Sequence, residues 1–394
     1  MKSETKNQSR GAAESASPSR RGFLEAACGA AAAATLARPG TADNVDAALC
    51  AVAKRREASS IESDHVACST AQTALPRWRG FNLLYFFGTW HDCKPKEEDY
   101  RIISDLGFDF VRLPLWYTHW VAEDDVYAVK EEMLERIDQA VAFGRKHKLH
   151  VCLNMHRAPG YCVASEPKEP FDLWRDQEAL DAFCFHWELF GKRYKDIPGD
   201  ELSFNLINEP VTRSRAHERV VRAAVRSIRA VTPDRLILLD GLQWGMQPLT
   251  GLEELGVAQS CRGYWPHTIT HYKASWVTGA DTFPTPRWPI PGDDGEGWDR
   301  ARLKELYAPW AETAGKGVGV HCGECGCYKH TPHDVFLRWF KDVLDILTAH
   351  GIGYALWNLR GPFGILDSER SDVAYEDWCG HKLDRKLLDL LQAH

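Results

Sequence analysis

Two glutamates at the ends of apolar runs are the residues best placed to do chemistry in this chain. The run Leu202-Ser-Phe-Asn-Leu206 reads as a short buried strand that leads through Ile207 into Asn208, Glu209 and Pro210. A carboxylate at the end of a core strand is costly to desolvate, so it usually has a task or a partner. Pro210 removes a backbone donor and stops the ladder, which leaves Glu209 at the strand's C-terminal mouth. Glu324 sits in Val320-His-Cys-Gly-Glu-Cys-Gly326, again after an apolar strand, with glycines that would let the backbone turn sharply. A single strand-end glutamate is as readily a helix cap or an arginine's partner. Two facing each other suit glycoside hydrolysis, in which one protonates the leaving oxygen and the other attacks the sugar.

Such a pair must be positioned by a scaffold. Short apolar runs recur at 80–83, 110–113, 151–155, 202–206, 236–239, 258–264, 318–321 and 354–357. Helical patterns lie between them at 97–106, 131–147, 177–194, 215–231, 303–314 and 335–349, with a weaker one near 249–255 and a last at 382–391. Eight strands alternating with eight helices over roughly 320 residues is the size and count of a (β/α)₈ barrel in a single catalytic domain. A doubly wound open sheet is the runner-up, but no Gly-x-Gly-x-x-Gly follows the first strand. Every strand except the fifth ends on a polar or aromatic candidate: Asn82, Arg112, His156 with Arg157, Asn208 with Glu209, Tyr264, Glu324 and Trp357. In barrels of this kind that end of the strands is the catalytic face. The long segment 264–298, read as non-helical and rich in proline and tryptophan, would wall one side of a cleft.

The ordered set resembles glycoside hydrolase family 5, the cellulase family of clan A. Its carriers are Gly80-Phe-Asn82, Val111-Arg-Leu-Pro114, His156-Arg-Ala-Pro-Gly160, Asn208-Glu-Pro210, Gly323-Glu-Cys-Gly326 and Trp357, and it covers about residues 77–394. The resemblance implies a retaining β-glycosidase with Glu209 as acid/base and Glu324 as nucleophile. It further implies that Arg112 holds the nucleophile ionised, since a nearby cation favours a carboxylate. By the same resemblance Asn208 hydrogen-bonds the sugar's 2-hydroxyl, His156 lines the subsite at the cleavage point, and Trp357 stacks under the ring.

The chain departs from that pattern twice. Cys325 follows the nucleophile where the family usually has an aromatic residue. On strand six the family has His-x-Tyr, with the tyrosine bonding the nucleophile; here Ser260-Cys-Arg-Gly-Tyr-Trp-Pro266 puts Tyr264 in the tyrosine's place and Arg262 in the histidine's. The rival placement uses His271 and Tyr272, with the tyrosine one residue early. The favoured placement puts the Tyr264 hydroxyl roughly 2.6–3.2 Å from Glu324. Arg262 would bring a second cation to the cleft, either for an anionic sugar or, the preferred reading, merely to pair with a neighbouring acid.

Composition bounds the rest. With 394 residues, 44% hydrophobic and 26% charged, the chain is ordinary for a globular protein, and a net charge of −7 favours neither nucleic acid nor an anionic membrane as partner. Among 15 tryptophans, those at 90, 116, 120, 244, 265, 276 and 288 fall in or near strand-end loops and offer faces to pyranose rings. Of the 12 cysteines, Cys28 would leave with the N-terminal segment, and the remainder, odd in number, describe no disulfide framework. A disulfide among Cys152, Cys162 and Cys184 stays open. The Cys322-x-x-Cys325-x-Cys327 cluster beside His321 invites a metal reading, but no second pair completes four ligands, so buried thiols are preferred and no metal or cofactor is expected. His91-Asp92-Cys93 is discounted likewise.

Residues 1–42 are a different material. Arg20-Arg21-Gly-Phe-Leu24 precedes the alanine-rich run Ala26–Leu36, which resembles a twin-arginine export signal with cleavage near Ala37 or Ala42. The run is far short of the roughly 20 residues a bilayer span needs. Residues 43–76 read as a largely irregular linker. The expectation is an exported monomeric hydrolase, periplasmic or extracellular, free of the membrane once mature, whose partner is an oligo- or polysaccharide and which cleaves a β-linked glycan in endo-glucanase fashion. An exo-acting β-glycosidase, a β-mannanase and a non-catalytic carbohydrate-binding protein are the alternatives, with a metal or redox protein more distant. Replacing Arg20 and Arg21 together by lysine should retain the protein in the cytoplasm on cell fractionation. Unchanged export would point to another route.

Overall fold

A computed structural model of the chain describes residues 74–88, 91–164, 167–292 and 297–394. The signal and nearly all of the linker expected at the N-terminus lie outside the described residues, as does Trp90. Eight parallel strands close into a barrel in sequence order: β1 (Arg79–Asn82), β2 (Phe110–Trp116), β3 (His150–Arg157), β4 (Leu202–Asn205), β5 (Leu236–Asp240), β6 (Ala258–Gly263), β7 (Val320–Cys325) and β8 (Gly353–Leu356), which pairs back to β1. Every residue of β2, β3, β4, β6, β7 and β8 is buried, as in a parallel sheet covered on both faces, so apolar and polar residues do not alternate between a core face and a solvent face.

The helices wrap this barrel through one apolar stripe each. Helix α1 (Glu97–Asp105) opens on Glu97, Glu98 and Asp99, acids that complement the positive end of the helix dipole, and buries Tyr100, Ile102 and Ile103. Helices α2 (Glu131–Lys146), α3 (Gln177–Arg193), α4 (Ser214–Arg229), α5 (Arg300–Gly315) and α6 (His333–Ala349) follow. On arginine-rich α4 the buried residues Val220, Val221, Ala224, Val225 and Ile228 recur at helical spacing, and the guanidinium groups take the other face. At the N-terminal end of the strands Trp78, stacked 3.7 Å from the His150 ring, plugs the barrel with Phe110, Cys152 and Ala355.

Four expectations change. The helix read near 249–255 is only a 3₁₀ turn at Glu253–Leu255, because Gly251 and Gly256 on either side adopt left-handed backbone that ends it. The last helix starts later, at α7 (Arg385–Gln392), where the Asp384 side chain caps the Leu387 N–H; residues His381–Leu383 instead form β10, a hairpin with β9 (Glu376–Trp378). Strand β7 runs on to Cys325 through a register shift, so Glu324 belongs to the strand rather than to a turn after it. The 264–298 segment carries a helical turn at His267–Thr270 and a 3₁₀ turn at Ala280–Thr282. Among the described residues no helix is long and apolar enough to cross a membrane.

Closure depends on how near the backbones come. A Cβ added at Gly80 on β1 would stand 1.7 Å from the Phe110 carbonyl oxygen, and one at Gly353 on β8 would stand 2.0 Å from that of Trp78. Both obstacles are backbone and cannot swing aside. Gly80→Ala should therefore lower stability by about 3 kcal/mol or more, read as a lower urea midpoint at unchanged slope. A midpoint within error of wild type would show that the strands move apart at no cost.

Candidate active site

The C-terminal mouth of the barrel gathers buried charges round one carboxylate. Arg112 lies in the middle of β2 rather than at its end as expected, because the strand runs on to Trp116; 1% exposed, it donates through Nη1 to Glu324 Oε1 at 2.6 Å. Its other donors go to Asn82 Oδ1 at 2.9 Å, Asn205 Oδ1 at 3.1 Å and Asn208 Oδ1 at 2.8 Å. The Tyr264 hydroxyl donates to Glu324 Oε2 at 3.3 Å, just longer than the range anticipated, and His156 Nδ1 stands 4.0 Å from Oε1. Burial, followed by the charges of Glu324 and Glu209, pushes the Tyr264 phenol well up, so it remains a donor. Burial, followed by Arg112, Arg157 and Arg262, holds His156 well below the usual imidazole range; its ring is neutral. Tyr272, the rival of Tyr264, lies in the loop beneath the Lys273 ammonium.

Glu209 is held differently. Its side chain is 14% exposed, and its backbone takes a left-handed conformation, φ 45°, rare outside glycine. Two side chains secure that shape: Asp240 accepts the Glu209 N–H at 2.9 Å, and the Tyr161 hydroxyl donates to the Glu209 carbonyl at 2.8 Å while accepting the Val211 N–H at 2.9 Å. Burial, followed by the Glu324 charge, pushes the carboxyl up to about 8, although Arg262 pulls the other way. The site thus holds one carboxylate bound by cation and hydroxyl and one carboxyl that keeps a proton near neutrality. That is the division of labour expected of a nucleophile and an acid.

Arg262 is the busiest side chain. It is 1% exposed, donates through Nε to Glu209 Oε1 at 2.8 Å and through Nη2 to Asn208 Oδ1 at 2.9 Å, and pairs closely with Asp240. Its Nη2 also comes within 3.4 Å of Glu324 Oε1. With Asn208 Oδ1 taken by two guanidinium groups, its amide nitrogen faces His156 Nε2 at 3.4 Å and is the atom left to offer a sugar hydroxyl.

Other candidates scatter. Asn82 is a clamp, with its amide nitrogen on the carbonyls of Gly323 and Leu356 and its oxygen on Arg112. Trp357, half-buried, sits edge-on to Phe87 at 5.3 Å and tilted to His156 at 5.6 Å. His271 packs edge-on to Tyr264 and Phe363 and holds the Thr270 hydroxyl, behind the tyrosine rather than beside Glu324. Trp244 and Trp276 stand 47% and 59% exposed, but Trp116, Trp120 and Trp288 are core and offer no face to a ligand; each is 6% exposed or less. Trp265 stacks on His267 and Trp298. Gly323 supplies room, not a turn: a Cβ there would meet Ser260 Oγ at 2.6 Å, whereas Gly326, φ 123°, makes the turn. Cys152, Cys162 and Cys184 are free thiols, as are Cys322, Cys325 and Cys327; among the described residues no group of three or more His, Cys, Asp or Glu is arranged for a metal.

Asp240 and Tyr161 escape the sequence reading. A signal for Asp240 exists: Leu236-Ile-Leu-Leu leads from an apolar run into an acid, as the runs before Glu209 and Glu324 do, and the fifth strand is the one without a candidate. Tyr161 lies in the loop after β3 with nothing local to mark it.

Fold and site together define a barrel glycosidase, and comparison with known proteins places it. The family model for cellulase, glycosyl hydrolase family 5, matches residues 68–361, and the chain belongs to that family. Endoglucanase C of Acetivibrio thermocellus is 26% identical over 306 residues, 71% of this chain and 88% of that protein. Cellodextrinase A of Ruminococcus flavefaciens is 29% identical over 265 residues, 65% of this chain and 76% of its own. A crystal structure described as a glycoside hydrolase is 39% identical with a TM-score of 0.77, covering 80% of this chain and 98% of that one. The protein is a glycoside hydrolase acting on O-glycosyl bonds.

Removing the Tyr264 hydroxyl should slow turnover by roughly one to two orders of magnitude, since that bond holds the Glu324 carboxylate in place. Tyr272→Phe should be near normal. The reverse ranking in steady-state kinetics would transfer the role to the His271–Tyr272 pair.

Proposed function

We propose that the protein is a secreted, retaining endo-β-glycosidase that hydrolyses a β-linked glucan by double displacement, with Glu324 as nucleophile and Glu209 as acid/base. The observation that carries this reading is the asymmetry of the two carboxyls: Glu324 accepts from Arg112 and Tyr264, while Glu209, pushed up to about 8, retains its proton. A Glu324 oxygen attacks the anomeric carbon as the Glu209 proton passes to the glycosidic oxygen, leaving a glycosyl ester on Glu324 and a free aglycone. Glu209, now a carboxylate, takes a proton from water, whose oxygen attacks from the opposite face and releases Glu324. Asn208 donates to the 2-hydroxyl, and Trp357 supports the ring beside His156. Glu209 gives a proton to the aglycone and regains one from water, and Glu324 carries the glycosyl group between aglycone and water, so the cycle as written calls on no cofactor, metal or second subunit.

An endo mode is favoured by the placement of Trp244 and Trp276, both exposed. Trp244 follows β5, where the Gln243 N–H bonds the Pro210 carbonyl, next to Glu209, at 2.9 Å. Trp276 packs beyond β7 and β8, its ring 4.7 Å from that of Tyr328 and 6.4 Å from that of Phe363. Exposed flat faces on two separate strand-end loops, one after β5 and one packed against the loops after β7 and β8, suit a chain that extends over several sugar units. The names of the relatives, endoglucanase and cellodextrinase, support a glucan as substrate. The proposal extends to export as a monomer through the Arg20-Arg21 segment, free of membrane and nucleic acid.

Stereochemistry tests the assignment. Glu324→Ala, assayed on an activated aryl β-glycoside with azide, should regain activity and yield the α-glycosyl azide, because the anion enters on the vacated nucleophile's face. Glu209→Ala with azide should yield the β product. The same anomer from both variants would show that the roles are misassigned.

A further inference from the structure

Arg262 poses an electrostatic problem for the proposed reaction, on which this inference rests. A guanidinium 2.8 Å from the acid/base favours its ionised form and so works against proton delivery. Yet the side chain has a made-to-measure seat. A Cβ on Gly245 would lie 2.6 Å from Arg262 Cγ, and one on Gly323 would lie 3.1 Å from Nη1, so glycines on two neighbouring segments leave it room. Its Nη1 is further held by Ser260 Oγ at 3.0 Å and the Cys261 carbonyl at 3.1 Å.

We propose that Asp240 is a positioning residue for catalysis: it closes an ion pair with Arg262, so that the guanidinium can fix one oxygen of Glu209 without drawing away the proton that the other oxygen delivers. The geometry assigns the oxygens. Arg262 Nε–H occupies Glu209 Oε1, so the mobile proton belongs on Oε2. Asp240 is fully buried and meets three donors at once: Arg262 Nη2, the Glu209 N–H at 2.9 Å and Asn205 Nδ2 at 2.9 Å. One carboxylate therefore sets both the strained backbone of the acid/base and the charge of the cation that touches it.

Counting charges gives the same answer. The buried cations Arg112 and Arg262 stand against the buried acids Glu324 and Asp240, and Arg112 Nη2 also lies 4.0 Å from Asp240; Arg157 on β3, a further buried cation, lies over the Trp116 ring and acts on the acid Glu169. Glu209 is the acid left over, and a neutral cluster requires it to carry a proton. The other groups facing it do not alter the sum: Glu324 on β7 repels its charge, while Tyr264 after β6 and Tyr161 and Cys162 after β3 are held uncharged by burial. His156 on β3 and His217 on α4, the latter facing Asp240, are neutral for the same reason.

The test is the pH profile of kcat/KM for the full chain on a cello-oligosaccharide, whose poor leaving group needs the acid. Asp240→Asn keeps the acceptor for the Glu209 N–H but removes the charge. The alkaline limb should move to lower pH by about one unit, because both the lost repulsion and the unmatched Arg262 favour ionised Glu209. Arg262→Gln should move the limb upward, and the double variant should return it towards wild type. On a dinitrophenyl glycoside, which leaves without a proton, Asp240→Asn should lose much less activity. A uniform drop with the limb unmoved would make Asp240 a structural residue only and overturn the proposal. Should Asp240→Asn fail to fold, the Arg262→Gln limb decides alone: an upward shift supports the pairing and an unmoved limb overturns it. A wild type inactive on every glycoside would sink the hydrolase mechanism itself, a result distinct from an active enzyme whose limb ignores both substitutions.

Discussion

The buried guanidinium of Arg112 is the interaction on which this site depends. Stripping water from a charged group is expensive, and a buried ion pair recovers that cost only when its hydrogen bonds are all well placed. Here they are: Glu324 of β7, Asn82 of β1, Asn205 of β4 and Asn208 just beyond β4 each accept from it. One side chain thus links four strands across the barrel interior. The register makes this possible, because Asn82 pairs beside Arg112 on adjacent strands while Glu324 reaches in from β7. Precision at the sugar follows from a core constraint rather than from a flexible loop.

Arg262 and Asp240 add a second ion pair next to the first. A pair so deeply buried is not evidence of extra stability, since two apolar residues of similar volume would often serve the fold as well. What apolar residues could not do is hold the backbone of Glu209 in its left-handed shape while leaving the carboxyl to be tuned by charge. Strain of that kind costs about 1–3 kcal/mol and persists only where its surroundings over-determine it. Asp240 and the Tyr161 hydroxyl over-determine it from either side of the peptide.

Much of this was legible in the sequence. The barrel followed from eight apolar runs separated by helical patterns, and the strand ends pointed to Glu209, Glu324, Arg112, Asn208 and Tyr264, which the structure brings together. What stayed hidden depended on partners distant in the chain. Trp116 and Trp120 look like sugar platforms because they follow a strand, but Trp120 donates to His186 across 66 residues and Arg157 lies over the Trp116 ring. Gly323 looked like a hinge, and only the crowding of Ser260 and Arg262 above it reveals a need for space. Asp240 follows an apolar run as an acid should at a strand end, but its partners Arg262 and Glu209 lie on other segments and cannot be read from that run.

The departure of strand six from the family pattern shows how such a change is tolerated. On the placement of strand six that the resemblance implies, a guanidinium stands where a neutral imidazole is usual, which changes the charge beside Glu209 and also demands volume. Both demands are met on other strands: Asp240 of β5 supplies the opposite charge, and Gly245 and Gly323, after β5 and on β7, supply the space. No one of these residues is informative alone. Read together, they form a single substitution spread over three neighbouring segments, and their mutual fit explains why the altered residue leaves Glu209 able to hold its proton.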